Sequence, residues 1–87
     1  MSRSAIIRGA VADGLDGERV SGLAARIGSR PPEGLLLLAE VDGDPVAAIG
    51  IFDGHAISDR SRSSLALRMR LRVLRLQLRL TAAVYGV

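Results

Sequence analysis

The chain has 87 residues, of which 48% are hydrophobic, and it carries a formal net charge of +3. This length predicts one small domain, residues 1–87, and the absence of cysteine excludes disulfide staples and thiolate metal sites. All twelve basic residues are arginine: residues 1–59 hold five of them with nine acids, whereas residues 60–87 hold seven and no acid. Such an uneven distribution of charge along the chain is informative about binding partners rather than about the fold.

The first two predicted elements are a short strand and a helix. The strand covers residues 4–10, with Ile6 and Ile7 as its core residues. A turn rich in Asp and Gly follows, and Asp16 is the expected N-cap of the helix. The helix ends at Gly28, because glycine readily adopts the left-handed conformation that follows a helix. Two prolines in the connector then prevent helical continuation.

The central part of the chain, residues 35–58, predicts a β-meander. Two apolar runs, residues 35–41 and 45–52, flank an Asp-Gly-Asp sequence, and Asp-Gly between strand-like runs favours a tight hairpin. A second Asp-Gly pair leads into a short third strand, residues 55–58. His55 is the only histidine, and its place after this turn favours a turn residue over a general base.

The C-terminal segment, residues 63–81, predicts a long amphipathic helix, although its leucines and arginines alternate locally as in a strand. The alternation breaks, the segment is too long for a typical strand, and its residue types are good helix formers. Projected at about 100° per residue, the side chains form three groups. The first apolar stripe is Leu65, Met69, Val73, Leu76 and Leu80, the second apolar stripe is Leu67, Leu71, Leu74 and Leu78, and the arginine stripe is Arg68, Arg72, Arg75 and Arg79.

These elements predict an α/β (α+β) fold with the order β-α-β-β-β-α and a small, mostly antiparallel sheet. Within it, LLLLAEVDGDPVAAIGIFDGHAISD resembles the central strands of the GNAT N-acetyltransferase superfamily, in which a pattern like AEVDG-x-PVA precedes the cofactor-binding strand and helix. The resemblance extends from Ile6 to about Leu80 and includes short actinobacterial GNAT-like proteins. It implies a truncated GNAT domain, since only the N-terminal part of that fold is matched.

The resemblance also implies a cofactor site whose central motif is missing here. GNAT enzymes bind the acetyl-CoA pyrophosphate on a glycine-containing loop, Q/R-x-x-G-x-G/A, at the start of this helix. The corresponding residues 59–64, DRSRSS, contain no glycine. We therefore expect no acetyltransferase activity, no catalytic residue and no cofactor. The acidic residues lack the spacing of a calcium loop, so no metal is expected either.

Two apolar stripes on one helix predict an interface, because the chain's own sheet can cover only one of them and exposed apolar surface marks contact sites. We expect the second apolar stripe to be the contact surface, with Tyr85 as an added anchor. The partner would be another protein subunit or a second copy of the chain. The predicted function is thus a non-catalytic interaction or assembly module.

Two alternatives stay open. One is an acyl-CoA-binding or residual N-acetyltransferase-like half-domain that needs a second chain. The other is binding of a nucleic-acid backbone by the arginine stripe. Two observations argue against it: no aromatic residue that could stack on bases lies nearby, and the sequence has no helix-turn-helix or RRM pattern. A membrane-surface helix ranks lower because it usually carries aromatic anchors. With no signal-peptide pattern and no apolar run of bilayer length, we expect a cytoplasmic protein.

Overall fold

The computed structural model describes residues 5–85, apart from the side chain of Tyr85, and these residues form an antiparallel sheet between two helices. The elements are β1 (Ala5–Val11), α1 (Gly14–Ile27), β2 (Leu35–Val41), β3 (Asp44–Gly50), β4 (Ala56–Ser58) and α2 (Leu65–Tyr85). The four strands lie in the order β1-β2-β3-β4 and every neighbouring pair is antiparallel. The predicted α+β fold is confirmed. Ser4, the predicted start of the first strand, lies outside the described residues. Of its two predicted core residues, Ile7 packs against the core, but Ile6 is 58% exposed, so that prediction was wrong.

β2 is buried on both of its faces. Leu36 and Leu38 pack in the core beneath α1, whereas Leu37, Ala39 and Val41 pack in the core beneath α2. A strand covered on both sides needs a continuous apolar run rather than alternation of apolar and polar residues. This requirement explains the run of four leucines that begins β2.

β2 and β3 form the predicted hairpin. Asp42 and Gly43 have φ angles of 53° and 83°, and positive φ at both central residues is what a two-residue type I′ turn requires. Val41 pairs directly with Asp44 across the turn. β3 therefore begins at Asp44, one residue before Pro45, and the proline occupies the start of the strand, where a missing N–H is tolerated.

The N-cap of α1 is Asp13 rather than the predicted Asp16. Asp13 is extended, with φ −98° and ψ 154°, and the helix begins at Gly14. Asp16 lies in the first turn, where its carboxylate accepts two hydrogen bonds from Arg8 of β1 at 2.7 and 2.9 Å. The predicted end is confirmed, because Gly28 has φ 71° and donates its N–H to the carbonyls of Ala24 and Ala25 in the last turn.

α2 covers the opposite face of the sheet and is longer at its C-terminal end than predicted. Its N-cap is Ser64, whose Oγ accepts the N–H of Leu67 at 3.1 Å. Ser63, the predicted first residue of the helix, is buried in the preceding turn and donates its hydroxyl to the Asp59 carbonyl at 2.8 Å. The helix continues beyond residue 81 because residues 82–85 include neither proline nor glycine, the two residues that most disfavour a helix.

Candidate functional site

α2 buries the second apolar stripe against the chain's own sheet. Leu67 and Leu71 are 9% and 3% exposed and belong to the core cluster beneath α2, and Leu74 packs against that cluster. Only Leu78 of this stripe is largely exposed, at 43%. The structure thus corrects the expected interface, since Leu67 and Leu71 are unavailable to a partner. The side chain of Tyr85, the expected anchor, lies outside the described residues.

The first apolar stripe is instead exposed, although Leu65 and Met69 at its start also line a cleft beside β4. Its five side chains are between 50% and 66% exposed, and Val84, one turn further along the helix, is 78% exposed. We call these six residues the outer face of α2: Leu65, Met69, Val73, Leu76, Leu80 and Val84. At 1.5 Å per residue the outer face is about 30 Å long, and none of the described residues covers it.

Both long borders of the outer face are polar and carry no acid. Helical projection places Arg70 and Gln77 along one border and Arg72 and Arg79 along the other. Arg70 and Arg72 are exposed, and neither forms an ion pair with any described residue. The surface is therefore an apolar strip between two borders that include positive charge.

Two members of the arginine stripe hold the loop between β3 and β4. The Nε of Arg75 donates to the carbonyl oxygens of Gly50 at 3.1 Å and Ile51 at 2.9 Å. Arg79 donates to the carbonyl of Phe52 at 3.2 Å, and its guanidinium lies 5.6 Å from the centre of the Phe52 ring, within cation–π range. A nucleic-acid backbone that contacted the whole stripe would have to compete with these bonds.

The other two members, Arg68 and Arg72, line a cleft of about 410 Å³ beside β4 together with Arg60. No acidic residue is among its lining residues, and none of the three arginines forms an ion pair within residues 5–85. The Nε of Arg68 is buried without a hydrogen-bond partner in the same residues, which is costly for a polar group. The cleft has the charge to hold an anion.

Small side chains and a free strand edge shape the rest of this cleft. Ala47 and Ala56 are among its lining residues and leave space that larger residues would fill. β4 is the last strand of the sheet, and the residues on either side of it bond to β3: Gly50 N–H donates to the His55 carbonyl, and Asp59 N–H donates to the Val46 carbonyl. Along an antiparallel strand, successive residues bond alternately to one side and to the other. The backbone N–H and C=O groups of Ala56 and Ser58 therefore face the open edge of the sheet.

Most of the paired acids of residues 5–59 contact arginines of the same region, Asp44 contacts Arg62 in the segment before α2, and none contacts α2 within residues 5–85. Glu40 accepts Arg8 Nε at 2.6 Å and Arg19 Nη2 at 2.6 Å, and Asp16 accepts Arg8 as described above. Burial acts to raise the pKa of Glu40, but these two guanidinium contacts outweigh it and hold the pKa below its usual range. The hydrogen bonds from Arg8 lower the pKa of Asp16. This network joins β1, α1 and β2.

His55 lies in the loop before β4 and connects two loops. Its Nε2 is 2.8 Å from the carbonyl oxygen of Arg30, so this nitrogen carries the proton that it donates. Its backbone N–H donates to Asp53 Oδ1 at 2.9 Å, and the N–H of Glu33 donates to the other oxygen at 3.2 Å. The backbone bond from His55, followed by that from Glu33, lowers the pKa of Asp53 against the opposing effect of burial.

Within residues 5–85, no helix combines the length and apolar character needed to cross a membrane. The same residues contain no group of three or more His, Asp or Glu side chains placed to hold a metal ion. No protein-family model, curated protein or solved structure matches the chain.

Proposed function

We propose that this protein is a non-catalytic interaction module that docks on another polypeptide through the outer face of α2. The observation that carries the proposal is the exposure of six large apolar side chains, 50–78% each, on one side of a single helix. Contiguous apolar surface of this kind is typical of interaction sites in soluble domains. The proposal keeps the helix that the sequence singled out but moves the contact from its second to its first apolar stripe.

The energetic argument rests on how much burial a partner would add. Fully burying one Leu, Val or Met side chain contributes about 1.5–3 kcal/mol. Because the six side chains are at least half exposed, covering them would contribute on the order of 5–10 kcal/mol before association costs. That amount is comparable with the whole free energy of unfolding of a small domain, about 5–15 kcal/mol.

Among residues 5–84, the exposed apolar residues outside α2 do not form a comparable surface. Ile6 and Val11 lie on β1, Leu15 begins α1, Leu35 begins β2 and Phe52 lies in a loop. Val11 and Leu35 are cross-strand partners and form one small pair, and the others lie apart in the sequence. Small exposed apolar groups of this kind are common on protein surfaces and need no partner. The outer face differs from them in being continuous along a helix.

Residue-specific photocrosslinking in the native cell tests the proposal. A benzoylphenylalanine at position 76, in the middle of the outer face, should give one or a few adducts of defined mass. The matched control is the same group at position 15, which is 80% exposed on α1 and should give none. A Leu80→Glu substitution should abolish the adduct from position 76. Equal labelling from both positions, or none from position 76, would reject the docking function.

A second candidate function is the acyl-CoA-binding half-domain that the GNAT resemblance implies. The cleft beside β4 favours it, because three arginines that form no ion pair within residues 5–85 line a space of about 410 Å³ next to the edge strand of the sheet. Phosphate groups pair well with arginine, and a free edge can bond amides of a bound chain.

Thermal unfolding with acetyl-CoA tests this candidate. Binding would raise the melting temperature, and Arg68→Gln or Arg72→Gln would remove the rise. Arg70→Gln is the matched control, because Arg70 is on the same helix but not among the residues that line the cleft. An unchanged melting temperature at millimolar acetyl-CoA would eliminate the candidate without affecting the docking proposal.

A further inference from the structure

The centre of the outer face has the residue spacing of a coiled-coil seam. Met69, Val73, Leu76 and Leu80 follow one another at intervals of four, three and four, the alternation that produces adjacent a and d positions in a heptad. With Val73 and Leu80 at a, Met69 and Leu76 occupy d. All four side chains are between 50% and 58% exposed, so the seam is open to a partner helix.

The residues that flank this seam determine which helix fits. In the same heptad frame Arg70 and Gln77 occupy e, and Arg72 and Arg79 occupy g. Side chains at e and g form the charge pairs that select partners in coiled coils. Three of these four positions are arginine and none is acidic. A complementary helix therefore needs acidic residues at its own flanking positions.

We infer that the occupant of the outer face is an acidic amphipathic helix of a different protein, with an apolar seam and Glu or Asp on both sides of it. The inference rests on the proposed docking function and names its partner chemistry. Such a helix would cover the apolar seam and neutralise arginines that lack acidic partners within residues 5–85. Electrostatic complementarity of this kind supplies specificity and speeds association.

A second copy of the chain fits the outer face poorly. Two α2 helices packed along their seams would bring arginine against arginine or against glutamine in either orientation, because no acid occurs between residues 60 and 85. Like charges at e and g positions act against pairing. The chain's own acids lie outside α2, and four of them, Asp16, Glu40, Asp44 and Asp59, are already in contact with arginines of the same chain.

An anionic membrane also attracts arginine, but the outer face matches a helix better. Its apolar residues keep coiled-coil spacing over four consecutive seam positions. It has none of the Trp or Phe side chains that usually anchor interfacial helices. Lipid binding is therefore an outcome that the experiment has to separate from helix binding.

The test uses two designed peptides of about three heptads with the same Leu and Val seam, one with Glu and the other with Lys at all e and g positions. Fluorescence anisotropy of the labelled peptides with the full chain should show saturable binding of the Glu peptide and at least about tenfold weaker binding of the Lys peptide. An Arg70→Glu/Arg72→Glu double variant should reverse this preference. Both side chains are exposed, so circular dichroism should show that the variant folds normally.

Three results would overturn the inference. One is equal binding of the two peptides, which would show that charge does not select the partner. Another is self-association of the chain, abolished by Leu80→Glu, without binding of the Glu peptide; the docking function would then stand with a different occupant. The third is binding to vesicles of phosphatidylglycerol and phosphatidylcholine without binding of the Glu peptide. If no probe binds and position 76 gives no crosslink, the docking function itself fails.

Discussion

The Nε of Arg75 lies 3.1 Å from the carbonyl oxygen of Gly50 and thereby ties the middle of α2 to the end of β3. The same nitrogen is 2.9 Å from the carbonyl of Ile51. The sequence places Arg75 in a stripe with the charge to bind a ligand, whereas in the structure its hydrogen bonds fix α2 on the sheet. The orientation of α2 in turn decides which leucines a partner can reach.

Replacing Arg75 should destabilise the domain, whereas replacing its neighbour in the arginine stripe should not. Arg75→Met removes the hydrogen bonds to the carbonyls of Gly50 and Ile51, and losing charge-assisted bonds to partly buried acceptors costs about 1–3 kcal/mol. Arg72→Met is the matched control, because the Arg72 side chain is exposed and forms no ion pair within residues 5–85. Urea unfolding followed by circular dichroism measures both. Equal midpoints for the two variants would contradict a structural role for Arg75.

The two apolar stripes should respond oppositely to truncation. Leu71 is 3% exposed in the core, so Leu71→Ala should cost about 2–5 kcal/mol in the free energy of unfolding. Leu76 is 56% exposed on the outer face, and Leu76→Ala should change stability by no more than about 0.5 kcal/mol while weakening partner binding. Chemical unfolding of the isolated chain distinguishes them. A larger loss for Leu76 than for Leu71 would mean that α2 packs with its other side on the sheet.

The cap of α2 offers a third test. Ser64→Ala removes the hydroxyl that accepts the Leu67 N–H and should lower the free energy of unfolding by about 0.5–2 kcal/mol. Ser21→Ala, at an exposed position inside α1, should be neutral or slightly stabilising because alanine is the better helix former. Thermal unfolding of both variants provides the comparison. If Ser64→Ala were neutral, another residue would have to supply the cap.

Stability should fall in acid because of the network around Glu40. The pKa of Glu40 lies below its ordinary value of 4.5 in the folded chain, and that of Asp16 lies below its ordinary value of 3.8. When the folded state has the lower pKa, the unfolded state binds protons first, so stability is fully present above these ordinary values and is lost as the pH falls through the folded pKa values.

Urea midpoints measured across pH should therefore be level near neutrality and should drop below about pH 4. Glu40→Gln should lower the midpoint at neutral pH, because Arg8 and Arg19 lose their charged partner, and should make the acid-induced drop smaller. A drop of the same size in the variant would assign the pH dependence to other carboxylates, such as Asp53 and Asp59, whose pKa values are also lowered.

Local chemistry in the sequence determined much of the fold. Asp42 and Gly43 can adopt positive φ, so the hairpin between β2 and β3 could be predicted from two adjacent residues. Gly28 ends α1 for the same conformational reason. The helical nature of α2 followed from its length and from residues that favour helix over strand. Each of these outcomes depends on neighbours in the chain.

The tertiary structure alone decided the arrangement of the candidate site. Both apolar stripes of α2 are rich in leucine, so only packing on the sheet determines that Leu71 is buried and Leu76 exposed. Arg8 pairs with Asp16, and Arg75 bonds to the Ile51 carbonyl, so both contacts join different parts of the fold. The second could not be predicted, because every residue has a backbone carbonyl and the sequence does not show which one an arginine contacts. The sequence by itself thus determined that α2 has more apolar surface than one sheet can cover. Packing against distant parts of the chain decided which side remains exposed, because the two stripes have the same periodicity and similar composition in the sequence.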